Sequence, residues 1–223
     1  MKNEATELTL KEKINDGLTR HWKLATIIFT TLLIIMAVIL VIGYLNRGKV
    51  AESAMLAEDI QSSYTSWMQE APENRDDTEL EAMISRALED YPKMFAAQRA
   101  LFTRGLMALE NKEWDVASEA FETLADNWEE SYLAPVSLYN AGAAREEAGD
   151  PEGAGALWQR LVDNYAEVSP DAPEALFNLG RLAEENGDTS EAVGFYKDVN
   201  SRFPKSRWTD LSKSRILVLE GRS

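Results

Sequence analysis

The chain has no cysteine and a single histidine, His21, in 223 residues. Without thiols it has no disulfides, no thiolate metal site, no cysteine nucleophile and no lipid-anchored N-terminal cysteine. One histidine near the N-terminus excludes a histidine cluster or a Ser-His-Asp triad in the rest of the chain. Basic residues are also scarce, 23 Lys and Arg against 38 Asp and Glu, for a formal charge of −15. That balance argues against nucleic acid as a partner, because phosphate contacts require basic surface. There is no EF-hand spacing and no Gly-rich phosphate loop ahead of a basic residue. The length suits one globular unit and an appendage.

What is present begins with an apolar run. Residues 24–45, LATIIFTTLLIIMAVILVIGYL, hold 22 residues without a charge. As a helix they extend roughly 33 Å, enough for a ~30 Å hydrocarbon core. Thr26, Thr30 and Thr31 are expected to bond back to the helix, and Trp22 and Tyr44 sit at the two ends, where amphipathic rings prefer the interface. A signal-peptide core or a buried globular helix are the competing readings. The run exceeds a signal core, and GYLNRGK after it offers no small-residue cleavage pattern. Residues 1–23 carry five basic residues, against two (Arg47 and Lys49) in the stretch after the run. This excess predicts a cytoplasmic N-terminus. The expected organisation is a cytoplasmic tail at 1–23, a transmembrane helix at 24–45 and an extracytoplasmic domain at 46–223. Leu10, Ile14, Leu18 and Trp22 recur every four residues in the tail. They suit a short helix on the membrane surface or a loosely ordered tail.

The domain repeats with a period of 37 or 38. Gly105, Gly142 and Gly180 share it, as do Ala117, Ala154 and Ala192, and Phe121, Trp158 and Tyr196. Tyr91, Trp128, Tyr165 and Phe203 extend it to a fourth copy. Each unit reads as two helices. PEALFNLGRLAEEN carries an apolar face, and Gly187 ends it as a left-handed cap. Asp188 with Glu191 then reads as a capping box opening the second helix, which Pro204 stops. Gly149, Asp150 and Pro151 repeat the junction, whereas Asn111-Lys112 replace the glycine in the first unit. A mid-helix glycine costs about 1 kcal/mol of propensity relative to alanine. It is tolerated where the second helix must approach, with Ala117, Ala154 and Ala192 as the expected partners. The aromatic four residues on is expected to fill the groove between neighbouring hairpins.

These residues resemble the tetratricopeptide repeat. The third copy matches at Leu176, Leu179, Gly180, Ala183, Gly187, Ala192, Tyr196 and Pro204. The second matches at Leu138, Gly142, Gly149, Ala154 and Trp158, and the first at Leu101, Gly105, Trp114, Ala117 and Phe121. The resemblance implies an all-α solenoid of three clear repeats. Residues 50–70 and 79–91 form a degenerate first repeat, joined by the polar loop APENRDDTE, and 206–220 a terminal capping helix. Asn46-Arg47-Gly48 is the weak point if the helix at 50–70 continues from the apolar run. Leu217 stands where the other copies have glycine, as expected if no second helix follows.

The same resemblance implies a concave groove lined by the first helices, here by Phe102, Leu106, Tyr139, Ala143, Phe177 and Arg181, suited to a peptide or a partner helix. Clamping of a peptide C-terminus is not expected, since Arg181 is the one cation at those positions. Glu129-Glu130, Glu146-Glu147 and Glu184-Glu185 read as solvated helix faces, so no catalytic residue, metal or cofactor is expected and the protein is not read as an enzyme. Residues 46–201 hold 12 basic and 32 acidic side chains, net −20, whereas 202–223 hold six against two, net +4. The whole arrangement (tail, one span, outward repeats) resembles the ancillary SecYEG translocon subunit family of the bacterial inner membrane. That implies a scaffold whose partners are the translocon or a periplasmic chaperone. Coordination of cell-envelope assembly or division is the alternative.

Overall fold

The computed structural model describes residues 9–221. It is built of helices α1 (Leu10–Gln69), α2 (Thr78–Asp90), α3 (Phe95–Glu110), α4 (Trp114–Asn127), α5 (Leu133–Glu147), α6 (Pro151–Tyr165), α7 (Ala172–Glu185), α8 (Thr189–Arg202) and α9 (Arg207–Glu220), with a 3₁₀ turn at Pro72–Asn74. No strand occurs among the described residues. The chain divides into two compact units, Met1–Glu52 and Ser53–Ser223.

In the first unit every side chain from Trp22 to Tyr44 is exposed. One described helix is long and apolar enough, by length and composition, to cross a membrane, and it contains this run. Its threonines bond as expected: the hydroxyls of Thr26, Thr30 and Thr31 donate to the carbonyls of Trp22 (2.6 Å), Thr26 (2.9 Å) and Ile27 (2.8 Å). Asn46, Arg47 and Gly48 are helical. The side chains of the Leu10, Ile14 and Leu18 stripe lie outside the described residues.

The second unit is a stack of hairpins. The Ser53–Gln69 part of α1 packs on α2 through Leu56, Ile60 and Trp67 against Leu80, Ile84 and Ala87. The pairs α3/α4, α5/α6 and α7/α8 follow, and α9 closes the stack on α8. First helices neighbour first helices, with α3 touching α5 and α7 touching α9. The loop before α2 is pinned: Arg75 lies 4.3 Å over the Trp67 ring and 3.5 Å from the Glu110 carboxylate.

The three periodic glycines sit at the hairpin seams, but against the ring and not the alanine. A Cβ on Gly105 would lie 2.6 Å from Cζ of Phe121, one on Gly142 2.5 Å from Nε1 of Trp158, and one on Gly180 2.6 Å from Cε1 of Tyr196. These rings are essentially fully buried. Each ring shares a cluster with the next first helix, as expected of a groove filler: Phe121 with Ala141 and Ala144, Trp158 with Leu176, Tyr196 with Leu219. But it also lies across the first helix of its own hairpin, where the alanine was the expected neighbour. The reason is size. Ala117, Ala154 and Ala192 are fully buried too, but a methyl is short enough to pack without displacing a Cβ, whereas a flat ring is not. The ring tips then diverge. Phe121 meets Phe102 edge-on at 5.6 Å, Trp158 donates to the Tyr139 carbonyl (3.2 Å), and the Tyr196 hydroxyl donates to Glu184 (2.6 Å).

The turns inside the hairpins share one backbone. Lys112, Gly149 and Gly187 have φ of 60°, 83° and 84°. Their N–H groups donate to Leu109, Glu146 and Glu184 (3.1, 2.9 and 3.0 Å). The next residues, Glu113, Asp150 and Asp188, donate to Ala108, Arg145 and Ala183 (2.8, 2.9 and 2.8 Å). This is the paired closure of a left-handed helix end. Lys112 thus adopts the glycine conformation with a side chain attached. Asp150 caps α6 by accepting from the Gly153 N–H (2.9 Å), with Pro151 in the first turn. The capping box expected at Asp188 and Glu191 does not form, since no side-chain cap closes at Asp188.

The turns between hairpins carry a periodic serine that the sequence reading passed over. Oγ of Ser131, Ser169 and Ser206 accepts from the N–H two residues on, each at 3.2 Å. Tyr91, Trp128 and Phe203 are the C-cap residues before these turns. Tyr165 is instead the last helical residue of α6 and donates to the Glu129 carbonyl (2.8 Å).

Candidate functional site

First helices expose one continuous face, and all six residues expected on it are half-buried. Phe102 spends its ring on Phe121. Phe177 is wedged between Tyr196 (5.2 Å) and Trp208 (4.8 Å). Tyr139 has its hydroxyl toward Glu174, Asp171 and Asn178, and burial followed by the Glu174 contact pushes its proton affinity above the ordinary tyrosine range. Leu106 packs at the seam with Ala108 and Phe121, as does Leu157 of α6. Ala143 joins the cluster around Leu138 and Trp158. Arg181 donates to Glu146 of α5 (2.6 Å) and to Glu185 (2.8 Å).

Glu129, Glu130, Glu147 and Glu185 are exposed as expected, but Glu146 and Glu184 are partly covered. Glu184 keeps 12% of its side-chain exposure and is chelated by the Arg215 guanidinium while accepting from Tyr196. This cluster ties α7, α8 and α9 together. Glu146 is likewise engaged by Arg181, and Glu122 of α4 receives two bonds from Arg145 of α5 (3.0 and 2.8 Å). Helical spacing predicts an outward face, but the partner arginines come from the next hairpin, 23 to 35 residues away, and no local pattern points to them. Among the described residues, no group of three or more His, Cys, Asp or Glu is placed to hold a metal.

Two rings on first-helix N-termini are more exposed than those expected to line the groove. Tyr132 is 65% exposed and Phe95 36%, with centroids 6.2 Å apart. Arg99 stands beside them, 5.5 Å from the Phe95 ring, donating to the Tyr132 hydroxyl (3.1 Å) and to Gln61 of α1 (2.8 Å). Phe95 and Tyr132 are 37 residues apart, so the period itself could have found them.

A family model described as tetratricopeptide repeat matches residues 102–166 and 139–206. A TPR repeat-containing protein of Treponema pallidum (strain Nichols) is 32% identical over 108 residues, 48% of this chain and 44% of that protein. The chain therefore spans less than half the length of this relative. A crystal structure of nearly identical TPR-like repeats from Podosopora anserina superposes with a TM-score of 0.53. It covers 78% of this chain and 84% of that one at 14% identity, a likeness of fold alone. With seams, turns and family model in one register, residues 102–206 fold as hairpins of the tetratricopeptide-repeat kind.

Proposed function

We propose that the protein is a membrane-anchored scaffold that offers its first-helix face to protein partners at the bacterial inner membrane, as an accessory of the Sec translocon or of periplasmic chaperones. The observation that carries the scaffold reading is the repeat array itself, a fold whose role is protein binding. Phe102, Leu106, Tyr139, Ala143, Phe177 and Arg181 line the groove, with side chains half-buried and so partly open to a partner. The 22-residue apolar run supports anchoring through 24–45. The basic excess before it supports a periplasmic repeat domain.

Photo-crosslinking in intact cells tests this reading. A benzophenone side chain at Leu106 or Ala143 should capture a translocon channel subunit or a periplasmic chaperone, and one at Val116 on the second-helix layer should not. Capture of envelope-assembly or division proteins instead would move the scaffold to another pathway. A periplasm-dependent reporter fused after Ser223 should be active, and activity confined to the cytoplasm would overturn the orientation and the translocon role together.

A further inference from the structure

The arginines of the repeat domain are almost all paired with acids. Of the ten arginines from Ser53 to Gly221, eight lie within 4.0 Å of a carboxylate, and Arg99 and Arg202 do not. Arg202 is on the exposed end of α8, beside Phe203. Arg99 is different. It is half-buried on the first-helix face, its Nε is buried without a partner, and its two bonds go to neutral oxygens of Gln61 and Tyr132. In a stretch of net −20 such a cation is conspicuously left without an anion.

A second pattern converges on the same spot. Helices α2, α4, α6, α7, α8 and α9 each place an acid in the first turn. Helices α3 and α5 place none. Phe95 opens α3 and Tyr132 precedes α5, so both acid-free N-termini flank Arg99. A helix N-terminus carries a positive partial charge that an acid normally complements. Neither first turn beside Arg99 holds a carboxylate, and the nearest acids along the chain to α5, Glu129 and Glu130, stand in the turn before Tyr132.

We propose that Arg99, Phe95 and Tyr132 form a partner-binding hot spot that accepts an aspartate or glutamate side chain of a bound protein segment, with an apolar neighbour of that acid resting on the two rings. This rests on the first-helix face being the partner-binding surface. Arginine with aromatic rings at a partly desolvated position is the composition of interface hot spots. A side chain, and not a chain terminus, is the favoured source because the backbone donors of Ala96, Ala97, Leu133 and Ala134 at these helix ends are occupied. The N–H of Ala96 donates to the Ser53 hydroxyl (3.1 Å) and that of Leu133 to Ser131 (3.2 Å). What remains is the outer edge of the guanidinium, which suits one carboxylate. The surrounding negative field repels acids elsewhere on the face, so this position sets the partner's register as well as its affinity.

The test uses the full chain in mild detergent and an array of amidated random peptides of about 12 residues. Bound peptides should be enriched at least threefold in Asp and Glu over Asn and Gln. Arg99→Gln should abolish the enrichment and weaken a selected acidic peptide by about tenfold, with Arg99→Lys in between. As a readout free of folding effects, the acid preference of the unmodified chain should shrink between ~50 and ~500 mM salt. Peptides bound without acid preference, or a preference that Arg99→Gln leaves intact, would refute the hot spot and leave the scaffold reading standing. Selection of neutral peptides from a parallel array with free C-termini would refute the side-chain assignment. Failure to bind any peptide would remove the scaffold reading as well.

Discussion

Helices α7 and α9 occupy the same place in successive repeats, and they solve it differently. In α7, Gly180 lies under the Tyr196 ring and Leu176 is buried. In α9, Leu217 fills the glycine position and is 73% exposed, while Lys213 replaces the buried leucine and is solvated. The residues of α9 that face backward stay buried, as Thr209, Ser212 and Leu219 do. A first helix therefore needs a missing side chain only if a second helix follows it. Lys213 thus puts a polar side chain where α7 has a buried leucine, the kind of outer face expected of a capping element.

The contrast is broken most severely by Gly142→Leu. A Cβ alone would sit 2.5 Å from the buried Trp158 ring, so the variant should lose at least about 3 kcal/mol, beyond ordinary overpacking. Thermal unfolding of the full chain reads this out. The same side chain at 217 is already tolerated, and Leu217→Ala should shift stability by less than about 0.5 kcal/mol. A large loss there would mean that α9 has a partner covering it.

Tyr196→Phe comes next. It removes the hydroxyl bond to Glu184 but leaves Arg215 in place, for a loss of about 1.5 kcal/mol typical of a bond to a charged group. Its pH signature is more specific. Burial, then the Glu184 bond and charge, raise the Tyr196 proton affinity above the ordinary range. The unfolded chain releases this proton near pH ~10 while the folded chain keeps it. The native state then binds more protons, so stability falls as pH rises above ~10. Tyr139 adds to the same slope. Melting temperatures from neutral to alkaline pH should show a shallower decline for Tyr196→Phe than for the unmodified chain.

Smaller than the Tyr196→Phe loss are the changes expected at the turns. Lys112 holds a left-handed conformation that Gly149 and Gly187 adopt freely. Lys112→Gly should stabilise by about 1 kcal/mol and Gly149→Ala should destabilise by about as much. Equal melting for Lys112→Gly would mean that the first hairpin relaxes its turn.

The period of 37 or 38 was enough to place α3 to α9, since a glycine, an alanine and an aromatic in fixed register imply a hairpin whatever the intervening surface. It did not say which small residue meets which large one. Glycine and alanine look interchangeable as clearance, and only the packed ring distinguishes them. The candidate site was less legible. Phe102 and Phe177 were chosen by repeat position, yet the stack uses much of their surface internally. Arg99 was missed because an arginine's importance depends on whether an acid from another repeat reaches it.

Sequence by itself determined the helical hairpins, their number, their register and the apolar run of α1, because these follow from local spacing and composition. Tertiary structure alone decided that Glu184 is mostly covered and held by Tyr196 and Arg215, that Lys112 adopts the left-handed conformation, and that Arg99 bonds to neutral oxygens. The turn at Lys112 is set by the hairpin it closes, and the other two depend on side chains that meet 12 to 38 residues apart, where attraction and exclusion are set by distance in space and not along the chain.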